Sequence, residues 1–358
     1  MSQKVTVLTL VYNGLPYLKY AIDSTLKQTY TDFEYLIIDD ASPDHDIEKF
    51  VDSYNDPRIR FVRNKKNLGV SRTFNKALTI IDSPYIIRLD QDDINLPNRV
   101  EEQLIYLEEN KEISIVCSWE HTINSKGIII RDWKKKINNY GEFIGPVLMG
   151  LSPIWHPSIA FRKDDMIKVG GFNSEYARAE DFEVTACIAR NRLGAAVVPR
   201  FHLLQRHHDN SQSAIFQKEQ ADMTHIIQKE AIADFIEVDD AEKLAFFLKF
   251  DRGSSTDNFT KNYLIEMHGL LSLMIQNVGK NLSMSSSELF SMKKIIYRRL
   301  GYGVYFMPFY KFLPEFLFLP IFFTLSPMFS HSLHKQLSRL NNYLHELKYS
   351  TKNFFKLN

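Results

Sequence analysis

The chain has 358 residues, 44% of them apolar and 24% charged, and a net charge of +1. These are the proportions of a globular protein with one large core and an appendage, or with two domains, and the charge balance excludes bulk attraction to nucleic acid or to an acidic partner. Two cysteines, Cys117 and Cys187, are too few for a disulfide framework or a metal-type spacing, which points to a reducing compartment, and the start "MSQKVTVLTL" has no basic region followed by a long apolar core, so no signal peptide is expected.

In chain order, "VTVLTLVY" (5–12) is an apolar, β-branched run of strand length. Asn13-Gly14 signals a turn, Pro16 suits a first helical turn, and Leu18, Ile22 and Leu26 mark one face of a helix. "YLIIDD" (35–40) predicts a second strand, 44–54 a helix, "IRFV" (59–62) a third strand and "SRTFNKALTII" (71–81) a helix. "YIIRLD" (85–90) reads as strand, "NRVEEQLIYLEEN" (98–110) as helix and "ISIVCS" (113–118) as strand. Such alternation predicts an α/β fold: an open, mostly parallel sheet with helices on both faces. Residues 121–215 are less regular. Strands are expected at "GIIIRDW" (127–133), at the start of "HPSIAFRKDDMIKVGGF" (156–172) and at "AAVVP" (195–199), with a helix over "EDFEVTACIARN" (180–191). From about 216 the pattern becomes long helical segments, so the expected division is 1–215 for an α/β domain and 216–358 for a helical region.

In open parallel sheets, ligands sit beyond the carboxyl ends of the strands. Polar residues gather there: Thr9 to Asn13, then Asp39 and Asp40, then Asp90, Asp92 and Asp93 in "YIIRLDQDDINLP" (85–97). Three carboxylates within four residues at a strand end repel one another. Two readings stand: a hard divalent cation, Mg2+ or Mn2+, neutralises them together with a diphosphate, or they cap the next helix and solvate a loop. Glu180-Asp181 has the same duality, since acids suit a helix N-terminus whatever else they do. Asp164 and Asp165 read as an N-cap and first turn.

The stretch "VTVLTLVYNGLPYLKYAIDSTLKQTYTDFEYLIIDDASPD" (5–44) resembles the opening of the family 2 glycosyltransferases, which have the Rossmann-like GT-A fold. "NLGVSRTFNKAL" (67–78), "RLDQDDINLPNRVEEQ" (88–103), "ARAEDFEV" (177–184) and "LLQRHHDNSQS" (203–213) resemble that family's later segments in the same order, so the resemblance covers roughly 5–213. It implies an inverting, metal-dependent enzyme that moves a sugar from a nucleotide-sugar donor, UDP-linked, to a hydroxyl of a glycan or lipid-linked acceptor in surface polysaccharide synthesis. Carried onto this chain, Thr9, Tyr12 and Asn13 would line the nucleotide pocket, Asp40 would accept from the base, Arg72 would lie near the phosphates and Asp90 would meet the ribose or donor sugar. Asp92 would ligate the metal with Asp93 beside it; His208, or its neighbour His207, would complete that site. Asp181 would be the general base, oriented by Glu180. His156 stands either at the substrate or as a satisfied buried histidine, and Trp155 either on a sugar ring or in packing.

Residues 302–329, "YGVYFMPFYKFLPEFLFLPIFFTLSPMF", are the most apolar part of the chain, with Lys293, Lys294, Arg298 and Arg299 before them and Lys335 and Arg339 after. Peripheral contact of 302–334 with an anionic leaflet, on the cytoplasmic face of the inner membrane, is the expectation; packing on the protein and spanning are the rivals. Two other functions compete. A sugar nucleotidylyltransferase would open with a Gly-rich phosphate loop bearing Arg and Lys, which "TLVYNGLP" (9–16) lacks. A non-catalytic nucleotide-sugar-binding or assembly subunit would keep the pocket and lose nothing on mutation of Asp181. No G-x-G-x-x-G follows the first strand, which disfavours a dinucleotide enzyme. Oligomeric state is not encoded in any feature above.

Overall fold

The computed structural model describes residues 3–44, 46–208, 215–249 and 261–299. The apolar stretch 302–334 and the end of the "LLQRHHDNSQS" segment lie outside them. Among the described residues, no helix is long and apolar enough to cross a membrane.

The first half follows the alternation. Strand β1 (Val5–Val11) leads to α1 (Leu15–Leu26), β2 (Glu34–Asp39), α2 (Asp46–Asp52), β3 (Ile59–Arg63), α3 (Val70–Ile80) and β4 (Tyr85–Arg88). These strands pair in parallel in the order β3-β2-β1-β4. The apolar runs of β1 and β2 are buried on both faces, as strands inside a sheet covered on two sides require, while the edge strand β3 is only half-buried. Helix α1 starts at Gly14 with proline in its first turn and buries Leu18, Ala21 and Ile22. Helix α3 buries Phe74, Ala77 and Leu78, spaced as one helical face.

The second half is mixed rather than parallel. After β5 (Ile94–Asn95) and α4 (Arg99–Glu109) come β6 (Ile113–Ile123), β7 (Ile129–Trp133), α5 (Tyr140–Leu148), β8 (Ala160–Arg162), α6 (Lys163–Lys168), α7 (Glu180–Arg190) and β9 (Gly194–Arg206). Strand β8 enters between β4 and β6 antiparallel to both, β6 pairs β9 in parallel, and β5 pairs β9 antiparallel. Strand β7 folds back on β6 as a hairpin. The strand expected at 195–199 runs on to Arg206, and the one at 113–118 runs on to Ile123, because the two pair with each other along these extensions.

Helices α8 (Gln217–Ala233), α9 (Val238–Lys249), α10 (Lys261–Asn281) and α11 (Ser286–Arg299) follow. The buried apolar side chains of one sheet face form a continuous cluster from Leu8 and Phe74 through Phe143 and Val184 to Ile232, Met274 and Ile296. The described part of the helical region therefore shares a core with the α/β part. Helix α11 lies tightly on α5: a Cβ at Gly141 would sit 1.8 Å from the Glu288 carbonyl oxygen, so only glycine allows this approach. The opposite face of the sheet packs α1, α2 and α4 around Leu18, Ile37, Val51 and Leu104.

Candidate active site

The polar residues at the carboxyl ends of β1, β2 and β4 meet the end of β9. Hydrogen bonds join these loops. The Asn13 amide, in a left-handed turn with φ 56°, donates to Ser42 Oγ at 3.0 Å. The amide side chain of Gln91 spans the gap between β1 and β4: it accepts from Tyr12 N at 2.9 Å and donates to Tyr12 O at 3.2 Å. Tyr12 itself is 45% exposed, free to face a ligand. Gln91 is the uncharged residue within the acidic run, so no charge pattern marks it.

Asp39 and Asp40 are fixed from below. Asp39 accepts from Ser42 N and Oγ and pairs with Arg63. Asp40 Oδ1 accepts from Asn64, Leu68 N and Thr73 at 2.7, 2.9 and 2.8 Å, while Oδ2 accepts only from Gly69 N at 2.8 Å. The buried Asp40 thus shapes the 64–69 loop that leads into α3, and of its two oxygens Oδ2 keeps capacity for another donor. Arg72 stands exposed in the first turn of α3. Thr9 departs from expectation. It has no exposed surface and its hydroxyl lies 3.2 Å from Tyr35 Oη, because its place in β1 turns it into the core.

The acid cluster has internal order. Asp90 forms a two-point ion pair with Arg88, at 2.8 and 3.2 Å. Asp92 Oδ2 lies 2.9 Å from Nε2 of His208, 116 residues away, and the His208 ring stacks on Tyr17 at 5.4 Å. His207 is exposed and, among the described residues, engages only through its backbone amide, on Ile123 O, so of the doubled histidines it is His208 that reaches the acids. Asp93 is buried; its Oδ1 accepts from Arg206 N at 2.8 Å, and its Oδ2 has no partner among the described residues. Arg206 also donates to Asp92 O at 3.1 Å and lies over the Tyr17 ring at 4.7 Å. Arg206 lies in the "LLQRHHDNSQS" segment, but only the fold shows that it organises the acids.

Burial, then the neighbouring Asp92 and Asp90 charges, holds the Asp93 carboxyl well above the usual carboxylate range; burial and Asp90 raise Asp92 as well. Beneath them lies Arg99, with no exposed surface, its guanidinium satisfied by Asn95, Gln103 and the carbonyls of Arg88, Pro157 and Ile159. Burial lowers its pKa to about 10, against the opposing pull of Asp93, Glu120 and Asp90. Glu120, on β6, is also fully buried, neither oxygen makes a hydrogen bond of ordinary geometry among the described residues, and burial pushes its carboxyl up to about 7.

Glu180 and Asp181 open α7, both half-buried. Burial raises the pKa of each, while the Arg88 charge favours the ionised forms. One Asp181 oxygen accepts from the Phe182 amide at 2.7 Å, and the Asp181 carbonyl accepts from Thr185 at 2.8 Å. His156 is buried with Nε2 2.8 Å from Thr185 Oγ1, and burial drives its pKa down to about 3, so it is a neutral ring supporting the start of α7. Trp155 packs on Trp133 at 4.6 Å.

Among the described residues no three acid, histidine or cysteine side chains converge as a ready metal cage. The donor set nonetheless fits a hard divalent cation of the kind that takes one or two protein ligands and completes its sphere with phosphate and water oxygens. Asp92 and His208 are already paired, and the orphaned Asp93 Oδ2 beside them is a buried acceptor awaiting a positive partner.

A mixed sheet of this order, with acids and polar loops gathered at its strand ends, defines a GT-A glycosyltransferase. The description "Glycosyl transferase family 2" matches residues 6–170. The O-antigen biosynthesis glycosyltransferase WbnJ of Escherichia coli is 32% identical over 176 residues, which cover 48% of this chain and 68% of WbnJ. The UDP-Gal:alpha-D-GlcNAc-diphosphoundecaprenol beta-1,3-galactosyltransferase of Escherichia coli is 31% identical over 182 residues, 49% of this chain and 64% of that enzyme. The chain therefore spans about two thirds of each relative. The crystal structure of S. aureus TarS 1–349 in complex with UDP-GlcNAc shares the fold at TM-score 0.54 and 17% identity, over 83% of this chain and 89% of that one. The chain belongs to glycosyltransferase family 2.

Proposed function

We propose that the chain is an inverting glycosyltransferase that takes its sugar from a UDP-linked donor and passes it to a hydroxyl of a glycan or lipid-linked acceptor. The observation that supports this reading is a pair of differently built acid groups joined electrostatically through Arg88 and Asp90, both of which act on Asp181. One group is Asp92 and Asp93, tied to His208 and Arg206; the other is Asp181 at the head of α7. The relatives support the donor and acceptor classes, since one is named for a UDP-sugar and a diphosphoundecaprenol acceptor and a structure of like fold holds UDP-GlcNAc.

In this reading Tyr12, Asn13 and Arg72 line the donor cleft, and Asp40 offers Oδ2 to the base while its other oxygen holds the 64–69 loop. Thr9 supports the strand through Tyr35 rather than touching the donor. Asp90, oriented by Arg88, meets the donor sugar. Asp92 and His208 hold Mg2+ or Mn2+, with Asp93 as the neighbouring charge. The cation, when bound, offsets charge that grows on the departing diphosphate. Asp181 removes the proton of the attacking hydroxyl. Its raised pKa makes it a stronger base than an exposed aspartate, and the free energy that burial adds to its charged form is released as it takes the proton. Glu180 orients it.

Asp181→Asn tests this reading. Transfer should fall by about 10²–10⁴-fold, the usual contribution of a general base, while UDP still raises the thermal midpoint in the presence of manganese. Transfer at the wild-type rate removes Asp181 from the role, and a wild-type chain that binds UDP-sugars but never transfers them favours the assembly-subunit reading.

A further inference from the structure

One surface plays no part in the reading above. Just past the turn of the β6–β7 hairpin, which the Gly127 N to Asn124 O bond closes, stand Ile128, Ile129 and Ile130, exposed by 59%, 52% and 56%. Three large aliphatic side chains in a row, all facing solvent, are uncommon on a monomer and mark a contact surface. They sit on an edge strand that pairs only with β6 among the described residues. Around them the chain is basic: residues 125–136, "SKGIIIRDWKKK", hold five lysines and arginines against the single acid Asp132, in a protein whose net charge is +1. Lys126, Arg131, Lys134 and Lys136 are exposed, while Lys135 turns inward to Ser152 O and the Trp155 ring. Arg131 stacks on Trp133 at 3.4 Å. Lys126 stands in the turn itself, the three isoleucines follow it, and Arg131, Lys134 and Lys136 come next along the chain, with Lys134 3.9 Å from the single acid Asp132.

We propose that this hairpin docks on an anionic lipid bilayer, with Ile128–Ile130 in the boundary between headgroups and acyl chains and the cations among the headgroups. Exposed aliphatic side chains flanked on both sides by lysine and arginine suit that boundary, where the aliphatic groups enter the acyl edge and the cations meet anionic headgroups. Charge decides against the other occupant that an edge strand invites. A second copy would bring its own excess of cations against this one, whereas an anionic surface neutralises them. The hairpin is rigidly joined to the acid cluster. Arg206, which holds Asp93 and Asp92, also donates to Asn124 O and Ser125 O at 3.2 and 3.3 Å, at the base of the turn. Docking would set the acid cluster one side chain away from the bilayer-seated loop.

The inference goes beyond the transfer reading and is tested without donor or acceptor. The full chain is partitioned onto vesicles of phosphatidylcholine alone and of phosphatidylcholine mixed with phosphatidylglycerol, with light scattering in parallel. Binding to the mixed vesicles is expected, with roughly tenfold or greater weakening in the Ile128→Ser, Ile129→Ser, Ile130→Ser variant. Each of Lys126→Gln, Lys134→Gln and Lys136→Gln should weaken it about fivefold. The glutamine variants leave the apolar tip intact, so they decide the matter should the serine variant misfold. Vesicle binding that is unchanged in every variant overturns the proposal and assigns membrane contact elsewhere. So does a dimer that the serine variant dissociates, because a second copy then covers the tip.

Discussion

Glu120→Gln isolates the electrostatic cost of building this site. Glu120 has no exposed surface and no hydrogen bond of ordinary geometry among the described residues, and burial lifts its carboxyl from the ordinary 4.5 to about 7 against the pull of Arg99, the nearby Ser158 hydroxyl and Lys135. The folded chain therefore keeps a proton that the unfolded chain releases between those values. Stability from this group is complete below about pH 4.5 and is lost as pH rises through about 7. A gap of about 2.5 in pKa corresponds to roughly 3.4 kcal/mol at full ionisation, of which about 2.5 kcal/mol falls between about pH 5 and about pH 8. Glutamine cannot ionise, so its stability curve lacks that part of the slope. The amide is itself buried without a partner and costs about 1–3 kcal/mol at every pH, which is why the slope and not the absolute stability carries the result. Urea titrations of both proteins across that range provide the measurement. Asp92, Asp93, Glu180 and Asp181 tilt both curves in the same direction, and the difference between the two proteins removes their share. Parallel curves would refute the placement of Glu120 as an ionising group in a dry interior.

Three further outcomes follow from the geometry. Ala41 follows the Asp39-Asp40 pair with φ 57°; Ala41→Gly relieves about 1–2 kcal/mol of left-handed strain and loses about 0.5–1 kcal/mol to chain entropy, so denaturant midpoints should rise slightly, and a clear fall would contradict this backbone. At Gly14 an added Cβ would lie 2.3 Å from Gln91 Oε1; Gly14→Ala should displace the Gln91 amide and raise the donor KM by roughly tenfold, about 1.4 kcal/mol, with a smaller change in kcat, and Gln91→Ala should reproduce that split. Manganese or magnesium together with UDP should stabilise the wild type by about 2–3 kcal/mol near a hundredfold excess over Kd, read as a thermal midpoint, and Asp92→Asn with His208→Ala should abolish the shift while leaving the metal-free midpoint in place.

How far the sequence reveals this molecule depends on which force shapes each part. The strands β1 to β4 and their helices are legible because burial on both faces makes plain apolar runs, and each run ends where the chain must turn polar. The second half is less so. Strand β9 carries Arg200, His202, Gln205 and Arg206 within its length, and hydropathy reads such a stretch as a loop; the buried partners that accept His202 and Arg206, among them Ser118 and Asp93, belong to distant segments. Helix α5 is absent from the residue pattern because Gly141, Gly145 and Pro146 are poor helix formers that close packing against α11 selects. Of the site residues, Asp90, Asp92 and Asp93 stand out as charge where charge is costly, whereas Asp181 and His208 are marked by the family resemblance. Arg99 is hidden, since an arginine in the first turn of an amphipathic helix looks like a solvated one. Thr9 looked like rim and lies inside, a matter of strand phase that two residues of context cannot fix.

The contact between Asp92 and His208 makes the acid cluster a closure of the chain rather than a local loop. Its two sides are separated by more than a hundred positions, and the link runs through the last strand of the sheet. A polypeptide ending at residue 170, where the family match stops, would keep every aspartate of the cluster and yet lack Arg206 to brace them and His208 to face them. Nucleotide binding and metal response should therefore appear together, and only once the ribosome has delivered the ninth strand, so that an incompletely made chain carries the acids without the chemistry.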